Sequence, residues 1–308
     1  MKELLSLLVL VTVFVVGCDG GYSGNEDEMN TSISKFRTFV TVGDSGTILT
    51  SSDGTTWTSR TSGTSDNLIG ITYGNSTFIT VGDSGTILTS SDGTTWTSRT
   101  SGTSVSLYGI SYGNSTFVTV GDSGTILTSS DGTTWTSRTS GTSNKLLGVN
   151  YVNSTFMTVG DSGTILTSSD GTTWTSRTSG TNPFYKVTYG NSTFVISGSS
   201  GTILTSSDGT TWTSRTSGTT QPLFDVTYVN GTFVTVGESG TIVTSSDGTT
   251  WTSRTSGTGN KLLGVTYGNG TFVMVGSNGT ILTSSDGTTW TSRTSGTSNT
   301  LKGVIYSQ

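Results

Sequence analysis

One 19-residue stretch, GTILTSSDGTTWTSRTSGT from Gly46 to Thr64, occurs six times unchanged, and a seventh copy differs only in carrying Val243 in place of Leu. The tryptophans of these copies, at positions 57, 96, 135, 174, 212, 251 and 290, are spaced 39, 39, 39, 38, 39 and 39 residues apart. A period of about 40 residues confines a chain to a solenoid or a propeller, because each unit can bury its apolar residues only against copies of itself. What one period contains decides between the two.

The period Leu68 to Ser106 holds three two-residue turn signals, Asn75-Ser76, Ser84-Gly85 and Asp92-Gly93; other copies read Asn230-Gly231 and Asn278-Gly279 at the first two. Pairs of this kind between apolar-rich runs mark hairpins, since both central residues must adopt positive φ. They divide the period into strands a (Leu68 to Gly74), b (Thr77 to Asp83), c (Thr86 to Ser91) and d (Thr94 to Thr100), followed by a longer connector, Ser101 to Ser106. Nothing in the period repeats at helical spacing. The fold class is therefore all-β: a seven-bladed β-propeller of four-stranded antiparallel blades over residues 36–308. The chain enters the pattern at strand b (Arg37 to Asp44) and ends on an unpaired strand a, Leu301 to Ser307. Pairing that C-terminal strand with the N-terminal blade closes the ring and removes the exposed sheet edges.

Two-residue turns throughout fix the expected register. Ile71, Thr80, Thr89 and Trp96 form one row, and Gly70, Val81, Leu88 and Thr97 lie on the other face. Trp96 and its six equivalents then sit on the outer strand and cover the seams. Arg99 lies opposite Thr86, which lies opposite Asp83, so that the arginine reaches the carboxylate across a threonine; Ser199 and Ser277 replace the acid in two blades, leaving Arg215 and Arg293 without it.

Composition limits the chemistry. The 308 residues include no His, one Cys, 44 Gly and 11% charged residues. Without His, a Cys pair or clustered carboxylates there is little equipment for acid-base, nucleophilic or zinc chemistry. No enzyme activity, metal or cofactor is expected. The net charge of -5 and the absence of a Lys/Arg cluster argue against nucleic acid.

The N-terminus reads as an address. Lys2 precedes an apolar run from Leu4 to Val16 that is too short to span a bilayer and suits a signal peptide. It ends in VVGC, which resembles the bacterial lipobox; that resemblance implies a signal of residues 1–17, lipidation at Cys18, and an exported lipoprotein of the cell envelope, facing the periplasm or the cell surface. An ordinary signal peptide with an incidental Cys is the other reading. Residues 18–35 are polar and acidic and read as a flexible tether.

The run TSSDGTTW resembles the Asp box of bacterial neuraminidase-type (BNR) propellers, and VGDSGTILTSSDGTTW resembles the repeats of photosystem II assembly and stability factors, which form seven-bladed propellers. The resemblance covers all seven repeats. It implies that Asp53, Asp92, Asp131, Asp170, Asp208, Asp247 and Asp286 are structural turn residues at the blade periphery. Each box here is one residue shorter than the family pattern, which favours a plain two-residue Asp-Gly turn. The sialidase chemistry of such propellers needs a central arginine cluster, whereas every Arg here except Arg37 belongs to the strand d series.

With copies so alike, the differences carry the local signal, and they gather in the connectors and at the start of strand a. The second residue of strand a reads Ile69, Tyr108, Leu147, Tyr185, Phe224, Leu263 and Lys302. Five repeats have Gly next, but the fifth has Lys186 and the sixth Asp225. Tyr185, Lys186, Ser197, Ser199, Arg215, Phe224 and Asp225 form the candidate binding patch, beside the only two prolines, Pro183 and Pro222. Drift in older copies, with Lys186 and Asp225 simply ion-paired, accounts for the same residues. The expected function is a membrane-anchored, monomeric scaffold that holds a protein partner on its connector face. A multivalent lectin-like glycan binder and a repeat protein with no tight ligand are the alternatives.

Overall fold

The computed structural model describes residues 37–177 and 179–307. The expected signal segment, the tether and Cys18 lie outside the described residues. The described chain forms seven four-stranded antiparallel sheets. In blade 2 the strands are Leu68–Gly74, Thr77–Gly82, Ile87–Ser90 and Thr97–Arg99. Blade 1 is composite: Leu301–Tyr306 is its strand a, beside Phe39–Gly43, Ile48–Ser51 and Thr58–Arg60. Phe39 pairs with Tyr306 and Thr41 with Val304, and Thr38 and Ser307 add two bonds of 3.0 Å, Thr38 N–H to Ser307 Oγ and Ser307 N–H to Thr38 O. The ring closes as the sequence implies.

The apolar core is divided among the seams between blades. Each sheet presents valine and isoleucine from one face and leucine and phenylalanine from the other. Val40, Val42 and Ile48 of blade 1 thus pack on Leu68, Phe78 and Leu88 of blade 2, all at most 1% exposed. Blade 7 meets blade 1 in the same way, Val273, Val275 and Ile281 lying against Phe39, Leu49 and Leu301. β-Branched residues on one pleated face and longer chains on the next interdigitate at close-packed density. A tyrosine of strand a and a phenylalanine of strand b stack beside each seam, Phe39 and Tyr306 with ring centroids 4.6 Å apart at 47°. Trp57 follows at 6.4 Å. The tryptophans cover the seams as expected, but from the loop just before strand d rather than from the strand itself.

The a-to-b turn has the expected form, with Asn75 at φ 47° and Ser76 at φ 55°, and it sets the pairs Ile71 with Thr80 and Tyr73 with Phe78. Beyond strand b the observed register departs from the expected one. Ser84 and Gly85 do form a turn, φ 56° and 72°, with Thr86 N–H donating to Asp83 O at 2.9 Å. Gly82 N–H donates to Thr86 O as well, at 3.0 Å. Two residues thus oppose one, a bulge that shifts everything beyond it by one position. Val81 pairs with Ile87 and Thr80 with Leu88, so Leu88 changes face.

The expected Arg99–Thr86–Asp83 row is corrected too, because the register between strands c and d is also one residue off: Arg99 lies opposite Ile87 and donates from Nε to Thr89 Oγ1 at 2.9 Å. The same Arg-to-Thr bond occurs at Arg60, Arg138, Arg215, Arg254 and Arg293. Blades with an acid at the b-to-c turn and blades with Ser199 or Ser277 there do not differ in it.

The c-to-d link is also not a two-residue turn. Gly54 has φ 75° while Asp53 does not reach positive φ. The Asp53 side chain instead organises a longer loop. Its Oδ1 accepts the N–H groups of Thr55 and Thr56 at 2.8 and 2.9 Å and the Ser51 hydroxyl at 2.9 Å. Trp57 donates its indole N–H to Gly54 O at 3.0 Å. Gly54 rests on the previous blade: a Cβ there would lie 3.0 Å from Val273 Cγ2. The Asp-Gly pair thus sits in a carboxylate-centred loop that fastens the tryptophan over the seam. Hydrogen bonds from the Thr55 hydroxyl first, then from the Thr56 amide, hold Asp53 far below the ordinary carboxylate value of 3.8. Asp131, Asp170, Asp208, Asp247 and Asp286 are lowered similarly.

Two outcomes follow from this packing. A carboxyl whose folded pKa is depressed contributes stability above its unfolded value, and that contribution disappears as pH falls toward the folded value. The melting temperature measured by circular dichroism is expected to be flat from about pH 7 to pH 5 and to fall steeply below about pH 4; an Asp53→Asn variant has a shallower fall. The seam between blades 5 and 6 holds the second. Ser197 stands where six blades carry Val, is 0% exposed, and its hydroxyl has no hydrogen-bond partner. Ser197→Val is expected to stabilise the fold by about 1 kcal/mol, read as a rise in melting temperature of about 2 °C.

Candidate binding site at the mouth of the central channel

Where strand a begins, its backbone runs closest to the ring axis. Leu68 pairs with Gly82 and Gly70 with Val81, so Ile69 is an extra, unpaired residue in the ladder. The same shift brackets Leu147, Tyr185, Phe224, Leu263, Tyr108 and Lys302. A bulge re-aims the side chain it carries. All seven of these half-buried residues turn into one cavity of about 210 Å³ at the connector end of the axis. The glycine opposite makes the bulge possible: a Cβ on Gly82 would lie 2.0 Å from Asn67 O. A strand b threonine supports it, Thr80 Oγ1 donating to Gly70 O at 2.9 Å and Thr119 to Gly109 O at 2.8 Å.

The residue after the bulge decides how closely neighbouring blades approach. A Cβ on Gly148 would meet Tyr185 O at 2.3 Å, and one on Gly70 would meet Tyr108 O at 2.6 Å. Those seams have no space for a side chain. Blades 5 and 6 break the pattern with Lys186 and Asp225, both in the mouth. The Asp225 carboxylate occupies its seam by accepting two backbone N–H groups, Val226 at 2.9 Å and Val265 of blade 7 at 2.9 Å. Burial raises its pKa above the usual carboxylate value, against the opposing charge of Lys186 and those amides. Tyr185 and Phe224 meet above this sector with centroids 5.4 Å apart at 49°. Burial, then the charge of Asp161, raises the Tyr185 phenol.

Three other lysines on the connector side form ion pairs. Lys302 meets Asp44 at 2.8 Å, Lys145 meets Asp122 at 3.1 Å, and Lys261 meets Glu238 at 3.0 Å. Tyr108 closes one of these pairs, its hydroxyl 3.1 Å from Asp122 and 3.2 Å from Lys145 Nζ. Lys186 is in none of the ion pairs among the described residues, so its expected pairing with Asp225 is not a direct contact.

The structure brings four members of the candidate patch together in the mouth: Tyr185, Lys186, Phe224 and Asp225. Ser197 lies directly beside Lys186 in the next strand, and Arg215 ends the same row beyond Ile203. Three strand spacings put Arg215 about 14 Å from Lys186; it faces a groove at the outer rim together with Ser200 and Gly201, next to Ser199 in the b-to-c turn. Blade 5 also has Ile196 where most blades place the supporting threonine. Sequence reasoning did not reach the Tyr108–Asp122–Lys145 cluster. Its members are 14 and 23 residues apart, and only the bulge turns Tyr108 toward the acid.

Among known proteins, no family model and no curated protein matches this chain. Solved propeller structures do. YCF48 from Cyanidioschyzon merolae superposes with a TM-score of 0.60 at 16% identity over 78% of this chain and 94% of that one. A structure of YCF48 bound to D1 peptide gives 0.61 at 18% identity over 79% and 94%. The GH74 enzyme of Niastella koreensis gives 0.56 at 19% identity over 80% of this chain and 41% of that one. At these identities the likeness establishes the seven-bladed β-propeller fold, and the fold alone.

Proposed function

We propose that this chain is a non-catalytic scaffold that holds a segment of a protein partner over the channel mouth, at the membrane to which a lipid on Cys18 ties it. One observation carries the reading: seven bulged side chains of five residue types converge on one cavity, with an aromatic pair and an unpaired ammonium in a single sector. Copies that share their seam residues differ here, where the side chain leaves the sheet for the cavity. A cavity of about 210 Å³ takes one or two side chains rather than a whole domain. Tyr185 and Phe224 offer apolar contact and Lys186 a charge for an acidic group, the usual division of labour in a peptide anchor. Its use by a protein segment is in keeping with the propeller solved with a bound peptide. Hydrolysis of glycosidic bonds needs two free carboxyl groups flanking the bond; the carboxylate lining this cavity, Asp225, has both oxygens engaged by backbone amides.

A peptide array probed with the purified propeller tests the mouth. Peptides with an aromatic or leucine residue beside an acidic one are expected to bind, and Tyr185→Ala with Lys186→Gln weakens them at least about tenfold; unchanged binding by the double variant moves the site elsewhere. The anchor is tested separately. Cys18→Ser is expected to shift the protein from the membrane to the soluble fraction on cell fractionation, and retention in the membrane fraction removes the lipid from the reading.

A further inference from the structure

Four further cavities lie at the outer rim beside the strand d arginines of blades 1, 5, 6 and 7, with volumes of about 670, 700, 550 and 820 Å³; the connector of the preceding blade also lines those of blades 1, 6 and 7. The groove of blade 1 is bounded by Trp57, Arg60, Ser62 and Thr64 on one side and by Thr297 and Asn299 of the preceding connector on the other. All but the last belong to the invariant repeat, so each groove draws on the same residue types around its arginine.

The groove is also rigid. Gly46 in its wall packs so closely that a Cβ would lie 2.1 Å from Thr64 O. Asn299 Nδ2 donates to Thr47 Oγ1 at 2.9 Å and pins the connector to the next blade, as Asn260 does to Thr280 at 2.8 Å. Arg60 Nε donates to Thr50 at 2.8 Å, which orients the guanidinium. No arginine takes part in an ion pair among the described residues, and no Asp, Glu or Lys lines any of the four grooves. Each arginine therefore presents its remaining donors, with an uncompensated charge, to a groove otherwise lined with hydroxyls, amides and, in blades 1 and 7, part of an indole.

We propose that these rim grooves are equivalent sites for an acidic polysaccharide, each arginine taking one carboxylate or sulfate and the Ser, Thr and Asn side chains the sugar hydroxyls. The fork of a guanidinium matches such anions in two parallel bonds. Volumes of several hundred Å³ accommodate one or two sugar rings. The lining favours a polyol over an acidic peptide, since it has many hydroxyl and amide groups and no deep apolar pocket for a side chain. Identical sites around one ring convert weak contacts with a repeating polymer into avidity. The mouth plays no part in this, so the two readings stand or fall separately.

Affinity electrophoresis of the folded propeller through gels containing polygalacturonate, dextran sulfate, neutral dextran or poly-glutamate tests the proposal. Expected is retardation by an acidic polysaccharide, none by dextran, and at least tenfold less by poly-glutamate. Retardation decreases stepwise as Arg60, Arg215, Arg254 and Arg293 are changed to Gln one after another, while the single variants keep the wild-type melting temperature and Tyr185→Ala changes nothing. Replacing the same arginines by Lys, which keeps the charge and loses the fork, recovers only part of the binding. No retardation by either acidic polysaccharide at low salt overturns the proposal. So does equal retardation by poly-glutamate, or binding that Arg→Gln leaves intact.

Discussion

Everything in this molecule depends on the seam between blades. A four-stranded sheet of this sequence has two apolar faces, and neither can face water. Each blade of the closed ring therefore covers one face with the neighbour before it and the other with the neighbour after it. The two faces differ, valine and isoleucine on one and leucine and phenylalanine on the other, so the seam has a direction and the blades stack in one sense only. That arrangement requires the composite first blade, because an open ring would leave one face of each kind exposed. It also explains why the copies are nearly identical: a residue in a seam contacts two copies of the repeat at once, and a change in one must suit both.

The architecture was legible because its signals are local. The a-to-b turn needs two residues at positive φ, Asn-Ser and Asn-Gly supply them, and the pairs Ile71 with Thr80 and Tyr73 with Phe78 follow. Seven periods and the leftover strand a gave the ring. Reading failed where backbone contacts between strands decide the register. Gly82 reads as an ordinary end of strand b, yet its N–H donates to Thr86 O while Thr86 N–H donates to Asp83 O, so two residues oppose one and strand c shifts by one residue. A second shift, from the longer c-to-d loop, put Arg99 opposite Ile87, so together they removed the Asp83–Arg99 row and placed the arginines on Thr89 and its equivalents. At the c-to-d loop, DG was read as a backbone turn. The bonds are in fact made by the aspartate side chain, which the dipeptide pattern does not encode.

The same kind of irregularity builds the mouth. A bulge is invisible in sequence, but its consequence is visible: the second residue of strand a varies freely because it leaves the sheet and contacts no seam. Lys186 and Asp225 were legible as departures from glycine, and their meaning required the backbone spacing at the axis. In four of the five glycine blades neighbouring strands a nearly touch, a Cβ on Gly70, Gly109, Gly148 or Gly303 lying 2.6, 2.9, 2.3 or 2.8 Å from backbone. Asp225 occupies its seam only by replacing backbone contacts with two carboxylate-to-amide bonds, and Ser197 gives up a valine beside Lys186. Three departures in one sector are thus physically linked, since a charged side chain enters a seam only where a neighbour yields volume or donors.

Variation and sameness point to two different kinds of site on one ring. At the axis seven blades contribute one side chain each to a single cavity, so identical residues would give only a symmetric rosette, and specificity requires that they differ. At the rim each groove is built around the arginine of one copy of the invariant segment, joined in blades 1, 6 and 7 by the copy before it, so identity is what a repeated site needs. The 19-residue stretch that dominates the sequence supplies the seam cover, the carboxylate-centred loop, and an arginine whose charge the packing leaves uncompensated. Packing explains the indole and the aspartate. It does not explain a guanidinium that uses one bond to orient itself and holds its other donors toward a groove without acids, and that residue is what separates a repeat that merely stacks from one that also binds.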